Sequence, residues 1–126
     1  MKKIVKTNKA PEPVGPYNQA VIHNNTMYIS GQIALDPNTK ELVTNDLKKE
    51  TMLVMNNLKA ILENENLSFE NVIKSSIFLS DMGSFKEVNE IYGSFFNKGT
   101  EPARETVEVS KLPLGVNVEI SMIVGL

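Results

Sequence analysis

Apolar and polar positions recur with two different periods along the chain, and the changes of period mark out its elements. From Asp46 to Asn64, Leu47, Thr51, Val54, Met55, Leu58, Ile61 and Leu62 recur at three- and four-residue spacing, which predicts an amphipathic helix; Met52 and Leu53 widen its stripe. Ser84-Phe85-Lys86-Glu87 has the capping-box pattern and predicts a second helix running to Phe96, with Phe85, Val88, Ile91, Tyr92 and Phe95 facing inward. Strand patterns surround these helices. Ile4-Val5 is a short first strand. Ala20–Ile22 and Met27–Ile29 flank His23-Asn24-Asn25-Thr26, where asparagine suits a tight hairpin turn. Val72–Leu79 reads as a buried strand, and Ala103–Val109 and Val116–Val124 as the last two. Three prolines and a glycine between Ala10 and Tyr17 predict an ordered loop.

The resulting order, strand-strand-strand-helix-strand-helix-strand-strand, is an α+β arrangement over residues 1–126 as one domain. Two helices cover one face of such a sheet, so the other face meets water or another subunit, and an oligomer is expected. Alternation in the last two strands sets Ala103, Val107 and Val109 against Arg104, Thr106 and Glu108, and Val118, Ile120, Met122 and Val124 against Asn117, Glu119 and Ser121. If residues 110–115 turn the chain back antiparallel, the apolar faces join the core. Arg104, Thr106, Asn117 and Glu119 then gather on the second face, one register pairing Arg104 with Glu119 and Thr106 with Asn117. Glu105 falls on the apolar side and needs an exposed strand end or a partner. The ordinary reading of this face is a ladder of surface polar residues with one ion pair. The functional reading is a cleft in which arginine grips a carboxylate at two points and glutamate deprotonates water.

Composition narrows the chemistry. The net charge of -2 argues against nucleic acid as the main partner. The chain has no cysteine, which excludes disulfides, thiolate-bound zinc and a cysteine nucleophile, and its one histidine, His23, cannot build a multi-histidine metal site. The apolar stretch behind Met1-Lys2-Lys3 stops at Val5, too short for a signal peptide, and no run has the length of a membrane span, so a cytoplasmic protein is expected.

Pro102-Ala103-Arg104, Val107-Glu108-Val109, Lys111-Leu112-Pro113 and Val118-Glu119-Ile120 together resemble the C-terminal signature of the RidA (YjgF) family. Ala10-Pro11, Gly15-Pro16-Tyr17, Ser30-Gly31-Gln32 and Phe85-Lys86-Glu87-Val88-Asn89 match further blocks of that family in order, so the resemblance spans essentially the whole chain. It implies a chorismate-mutase-like fold, a homotrimer whose sheets close into a central barrel, and clefts between neighbouring subunits. It also implies 2-iminobutanoate/2-iminopropanoate deaminase activity without a cofactor or metal. Enamines and imines such as 2-aminoacrylate, released by pyridoxal-phosphate-dependent dehydratases, would be hydrolysed to 2-keto acids and ammonia. By this resemblance Arg104 holds the substrate carboxylate, Glu119 positions the attacking water, and Tyr17, Ser30, Gly31 and Asn89 line the cleft. Thr106 stands where many members carry cysteine and Glu105 where a small residue is usual, which bears on substrate preference more than on reaction class.

Each of these residues also has a plain structural reading. Tyr17 as a loop aromatic would pack on the sheet, Ser30-Gly31 would be a strand end, and Asn89 would be solvated helix surface. His23 is expected to be exposed in its turn, Met52, Met55, Met82 and Met122 to fill core space, and Lys48-Lys49-Glu50 to be a solvated helix face. Two other functions compete with the deaminase: a non-catalytic metabolite binder with a regulatory or chaperone-like role, and an endoribonuclease or translation inhibitor, against which the mildly acidic composition and the lack of an aromatic-basic stripe count.

Overall fold

The computed structural model describes all of residues 1–126. In chain order it contains β1 (Lys3–Val5), β2 (Ala20–His23), β3 (Thr26–Gln32), α1 (Leu47–Asn64), β4 (Val72–Leu79), α2 (Phe85–Gly93), β5 (Ala103–Glu108) and β6 (Val118–Gly125). The expected element order is therefore present. Asp46 caps α1, its carboxylate accepting the Lys49 backbone N–H at 3.1 Å. The β2–β3 hairpin turns through Asn24 at φ 55°, the left-handed conformation asparagine tolerates. The second helix differs from expectation. Ser84 makes no side-chain cap, because a 3-10 turn over Met82–Ser84 runs directly into α2, and Asp81 caps that turn by accepting the Gly83 N–H at 2.8 Å. The helix ends at Gly93, and Phe95 and Phe96 follow in a turn where both rings meet Phe69 edge-on, at 5.4 and 5.3 Å between centroids.

The strands form one mixed sheet in the order β1-β2-β3-β6-β4-β5, in which β4 and β5 are parallel and every other pair is antiparallel. Both helices pack on one face. Val54, Met55, Leu58, Ile61 and Leu62 of α1 and Val88 and Tyr92 of α2 share a core with Ile29, Ile77, Leu79, Val118, Ile120, Met122 and Val124. Met55 and Met122 are buried there as expected, whereas Met52 and Met82 are each 39% exposed and fill no core space.

The expected β5–β6 hairpin does not form. The chain leaves β4 through α2 and returns as β5 on the outer edge of β4, while β6 inserts between β3 and β4. The two candidates differ in what they can bury. The alternating Val118, Ile120, Met122 and Val124 of β6 suit the middle of the sheet, and the charge-rich β5 suits an edge. Registers then fix the faces. Val5, Ala20, Ile29, Met122, Ser75 and Arg104 form one cross-strand row running through all the strands, on the helix-covered face. Arg104 and Thr106 thus point toward the helices, and Ala103, Glu105 and Val107 toward the open face, the reverse of the expected sides for β5. Glu119 shares its row with Phe78 and Val107 on the open face. Arg104 and Glu119 of one chain consequently lie on opposite faces of the sheet, and neither the Arg104–Glu119 nor the Thr106–Asn117 pair exists. Glu105 is turned away from Arg104, as alternation requires, and pairs with Lys74 at 3.0 Å and with the Ser76 hydroxyl.

Glu50 also departs from expectation. It is fully buried, and its carboxylate accepts the Asn117 backbone and side-chain N–H groups, both at 2.7 Å, and the Val118 N–H at 3.2 Å. The Asn117 carbonyl in turn accepts the Ser80 N–H at 3.1 Å. A buried carboxylate with donors on both oxygens is tolerable where a bare one is not, so Glu50 ties α1 to the point where β6 enters the sheet. Glu50→Ala strands two buried backbone donors and should lower the unfolding free energy by about 3 kcal/mol. Glu50→Gln retains an acceptor and should lose clearly less, as read from chemical denaturation of the two variants.

Candidate functional site

The residues singled out in the sequence fall into two constellations. The first lies between β5 and α2. The Arg104 guanidinium sits 5.6 Å from the Phe85 ring centroid and 5.2 Å from that of Tyr92, and its Nη1 donates to Asn89 Oδ1 at 2.6 Å. Two aromatic faces and one amide hold the charged fork in a fixed orientation. Asn89 is thus more than solvated surface. Phe85, Asn89 and Tyr92 come together because they lie three or four residues apart on α2, which places them on one side of the helix. Tyr92 is itself pinned: its buried hydroxyl donates to Ser75 Oγ at 2.9 Å. Burial raises the Tyr92 phenol above its ordinary value, against the opposing pull of the Ser75 hydrogen bond and the Arg104 charge. No carboxylate of the chain pairs with Arg104. Beside it on the same face, the Thr106 hydroxyl is buried without a hydrogen-bond partner, a cost that a bound polar group would offset.

The second constellation lies where β3 and β6 meet the proline-rich loop. Val14, Tyr17, Ser30, Gly31, Ile33, Pro113 and Glu119 line a cavity of about 370 Å³. The β3–β6 register shifts between Ile29 and Gln32, and this irregularity lays Gly31 directly against Glu119: a Cβ on Gly31 would meet the Glu119 carboxyl carbon at 2.7 Å. Ser30 Oγ donates to the Asn18 carbonyl at 2.6 Å, and the Tyr17 hydroxyl accepts the Val14 N–H at 3.2 Å, which folds the loop over the cavity. The loop is anchored by Gln19, whose buried amide accepts the Thr7 N–H and donates to the carbonyls of Thr7, Ala10 and Pro11. Glu119 is half-buried and accepts no hydrogen bond within the chain, so burial alone raises its carboxyl above the ordinary carboxylate range.

Tyr17, Ser30, Gly31 and Glu119 are thus brought together, as are Asn89, Arg104 and Thr106, but the two groups are not brought to each other within one chain. Sequence reasoning passed over Tyr92, Ser75, Gln19 and Glu50 as parts of these supports. The three-residue spacing of Asn89 and Tyr92 was a readable signal; the contacts of Ser75, Gln19 and Glu50 are long-range and left none. His23 lies at the exposed end of β2, away from both groups. No group of three or more histidine, aspartate or glutamate side chains is placed to hold a metal ion, and no helix is long and apolar enough to cross a membrane.

The raised Glu119 carboxyl has a consequence for stability. A raised value favours the protonated form in the folded state, so the stability this group contributes is complete below about pH 4, the unfolded carboxylate range, and is lost as pH rises through the raised folded value. Glu119→Gln should therefore raise the melting temperature at pH 7 and leave it unchanged below about pH 4, as followed by thermal unfolding across pH.

Comparison with known proteins fits this geometry into a wider set. The family model described as endoribonuclease L-PSP matches residues 7–125. A RutC family protein of Pyrococcus horikoshii is 46% identical over 123 residues, covering 98% of this chain and 97% of its own. The mouse 2-iminobutanoate/2-iminopropanoate deaminase is 43% identical over 123 residues, covering 98% of this chain and 90% of its own. Among solved structures, that of E. coli TdcF with bound serine superposes with a TM-score of 0.92 at 36% identity, covering 98% of each chain. The chain belongs to the endoribonuclease L-PSP family, the YjgF/RidA family that its motifs resemble.

Proposed function

We propose that the protein hydrolyses enamines and imines of 2-amino acids to 2-keto acids and ammonia, and that it does so as a homotrimer, with each cleft assembled from two protomers. The observation that carries this reading is the complementarity of two incomplete half-sites. One face carries a rigidly held guanidinium with no carboxylate partner and an orphaned hydroxyl; the other carries a carboxylate with no cation beside it, in a cavity large enough for a small acid. Since the two cannot meet within one chain, a neighbouring copy has to supply the second. The 43% identity to the mouse deaminase supports the reaction class, and the serine bound to TdcF is consistent with a ligand that carries a carboxylate and an amino group.

In this cleft Arg104 of one protomer grips the substrate carboxylate at two points, with Asn89 and the aromatic faces keeping the fork from turning. The Thr106 hydroxyl offers the nearby hydrogen bond it lacks in the free chain. Glu119 of the other protomer takes a proton from water as the water oxygen bonds to the imine carbon, giving a neutral-oxygen carbinolamine. The protonated Glu119 then returns the proton to the amino group; as the carbon–nitrogen bond breaks, the carbinol O–H pair closes the carbonyl and its proton passes to the Glu119 carboxylate, which hands it on to the departing ammonia, so that 2-keto acid and ammonium leave. A carboxyl raised by burial serves both steps, being basic enough to accept the proton and acidic enough to give it back. An iminium carbon is already electrophilic, so the chain's own residues suffice for this sequence. Ser30 and Tyr17 shape the wall, and Gly31 leaves room for Glu119.

A coupled assay tests the proposal: a pyridoxal-phosphate-dependent dehydratase generates 2-aminoacrylate, and keto-acid release is followed with and without the protein. Wild type should accelerate release, and Arg104→Ala should lower kcat/KM by roughly a hundredfold or more, chiefly through KM. Glu119→Gln should lower kcat. Sedimentation should give the mass of three chains. Binding of 2-ketobutyrate without turnover would instead favour a metabolite-binding role, and RNA cleavage that persists in Arg104→Ala would favour the activity for which the family model is named.

A further inference from the structure

At Glu119 the sheet loses one of its pairings. β3 and β6 are in register only as far as Gln32 with Ile120, whereas β4 stays beside β6 further, through Phe78–Glu119 and Leu79–Val118. Past Gln32, residues 33–35 on one side and 117–118 on the other carry backbone groups that no β3–β6 ladder satisfies. Helix α1 supplies the partners. The Glu50 carboxylate accepts the Asn117 and Val118 N–H groups at 2.7 and 3.2 Å, and the Asn57 amide donates to the Ile33 and Leu35 carbonyls at 3.1 and 3.0 Å. The chemistry is matched to each side: an acceptor-only carboxylate meets N–H groups, and an amide N–H2 meets carbonyls. Both side chains are buried, at 0% and 2% exposure, and lie about two turns apart on one face of α1.

Resting on the reaction proposed above, we propose that Glu50 and Asn57 are positioning residues for it, which together fix Glu119 relative to the opposite wall of its cavity. Glu119 follows Val118 directly, and Gly31 and Ile33 line the same cavity from the β3 side. The Glu119 carboxylate accepts no hydrogen bond from the chain, so its place is inherited from its backbone and from Gly31 beside it. On the β4 side that backbone is held by the sheet. On the β3 side the ladder is missing, and Glu50 and Asn57 stand in for it. A helix that had only to cover the sheet would meet it with apolar side chains throughout, as Val54, Leu58 and Ile61 do. Two buried polar side chains instead tie both walls of the cavity to one helix, so neither wall shifts without the other. Arg104 is held separately, by Phe85, Asn89 and Tyr92 of α2.

The test measures kcat and KM separately for 2-iminopropanoate, generated by an amino-acid oxidase from alanine. It compares wild type with Glu50→Ala, Glu50→Gln, Asn57→Ala and Leu58→Ala, the assembly of each checked by sedimentation. Leu58 is as buried as Glu50 and lies on the same helix, within the apolar core, so Leu58→Ala reports what lost stability does by itself. Glu50→Ala and Asn57→Ala should each lower kcat by roughly tenfold or more, as misplacing a reacting group by about 1 Å does. KM, set at Arg104, should stay within about twofold. Glu50→Gln keeps an oxygen for the two backbone N–H groups and should recover kcat to within about threefold of wild type. Leu58→Ala should leave kcat per folded protein unchanged. Asn57→Ala, the milder change, decides the case if Glu50→Ala does not fold. Retained kcat in Asn57→Ala, a loss confined to KM, a Glu50→Gln as impaired as Glu50→Ala, or an equal loss in Leu58→Ala overturns the positioning role and leaves the hydrolase reading in place. Absence of turnover by wild type overturns both.

Discussion

The pairing of β4 with β6 on one side and β5 on the other controls where every functional group of this chain can be. It lengthens the cross-strand row of buried side chains by one position beyond Ser75, and the residue at that position is Arg104. An arginine at the end of a core row cannot lie in a dry interior unpaired. Here the edge position lets it emerge between Phe85 and Tyr92, with Asn89 as its hydrogen-bond partner. The same pairing turns Glu119 to the opposite face, into the cavity beside Gly31. The separation of guanidinium and carboxylate is thus built into the register. Their separation also keeps them from neutralising each other within one chain, as the proposed two-protomer cleft requires.

Each half-site depends on hydrogen bonds formed far from it. Glu50 holds Asn117 and Val118, and therefore the start of the strand on which Glu119 is the next residue. Gln19 holds the proline-rich loop whose Tyr17 and Val14 wall the cavity. Ser75 holds the Tyr92 ring under Arg104. In each case a buried polar group that would be costly alone is satisfied by the element it positions. The geometry of the two half-sites and the stability of the sheet are maintained by the same contacts.

Much of this was legible in the chain itself. The period of three and four from Leu47 to Leu62 gave α1 its stripe, and the alternation from Val118 to Val124 placed Glu119 opposite the core. The motifs around Arg104 and Tyr17 pointed to the right family. What failed was strand neighbourhood. Alternation says which residues share a face of one strand, but not which strand lies beside it, so β5 was paired with β6 across a short loop when β4 stands between them. That error reversed the inward side of β5 as well, because Ala103, Val107 and Val109 look like a core face until the strand is known to be an edge. Glu50 was hidden for a related reason. Flanked by Lys49, it reads as solvated surface, and its partners at Asn117 and Val118 are distant in sequence.

The most direct test of the two-protomer cleft is complementation between subunits. Arg104→Ala and Glu119→Gln chains, each strongly impaired alone at subsaturating substrate, are mixed, dissociated and allowed to reassociate, and mixed oligomers are verified by mass. A cleft that takes its arginine from the Glu119→Gln chain and its glutamate from the Arg104→Ala chain is intact, so roughly a quarter of wild-type activity should return in an equal mixture. Mixed oligomers that form and remain inactive would contradict the account.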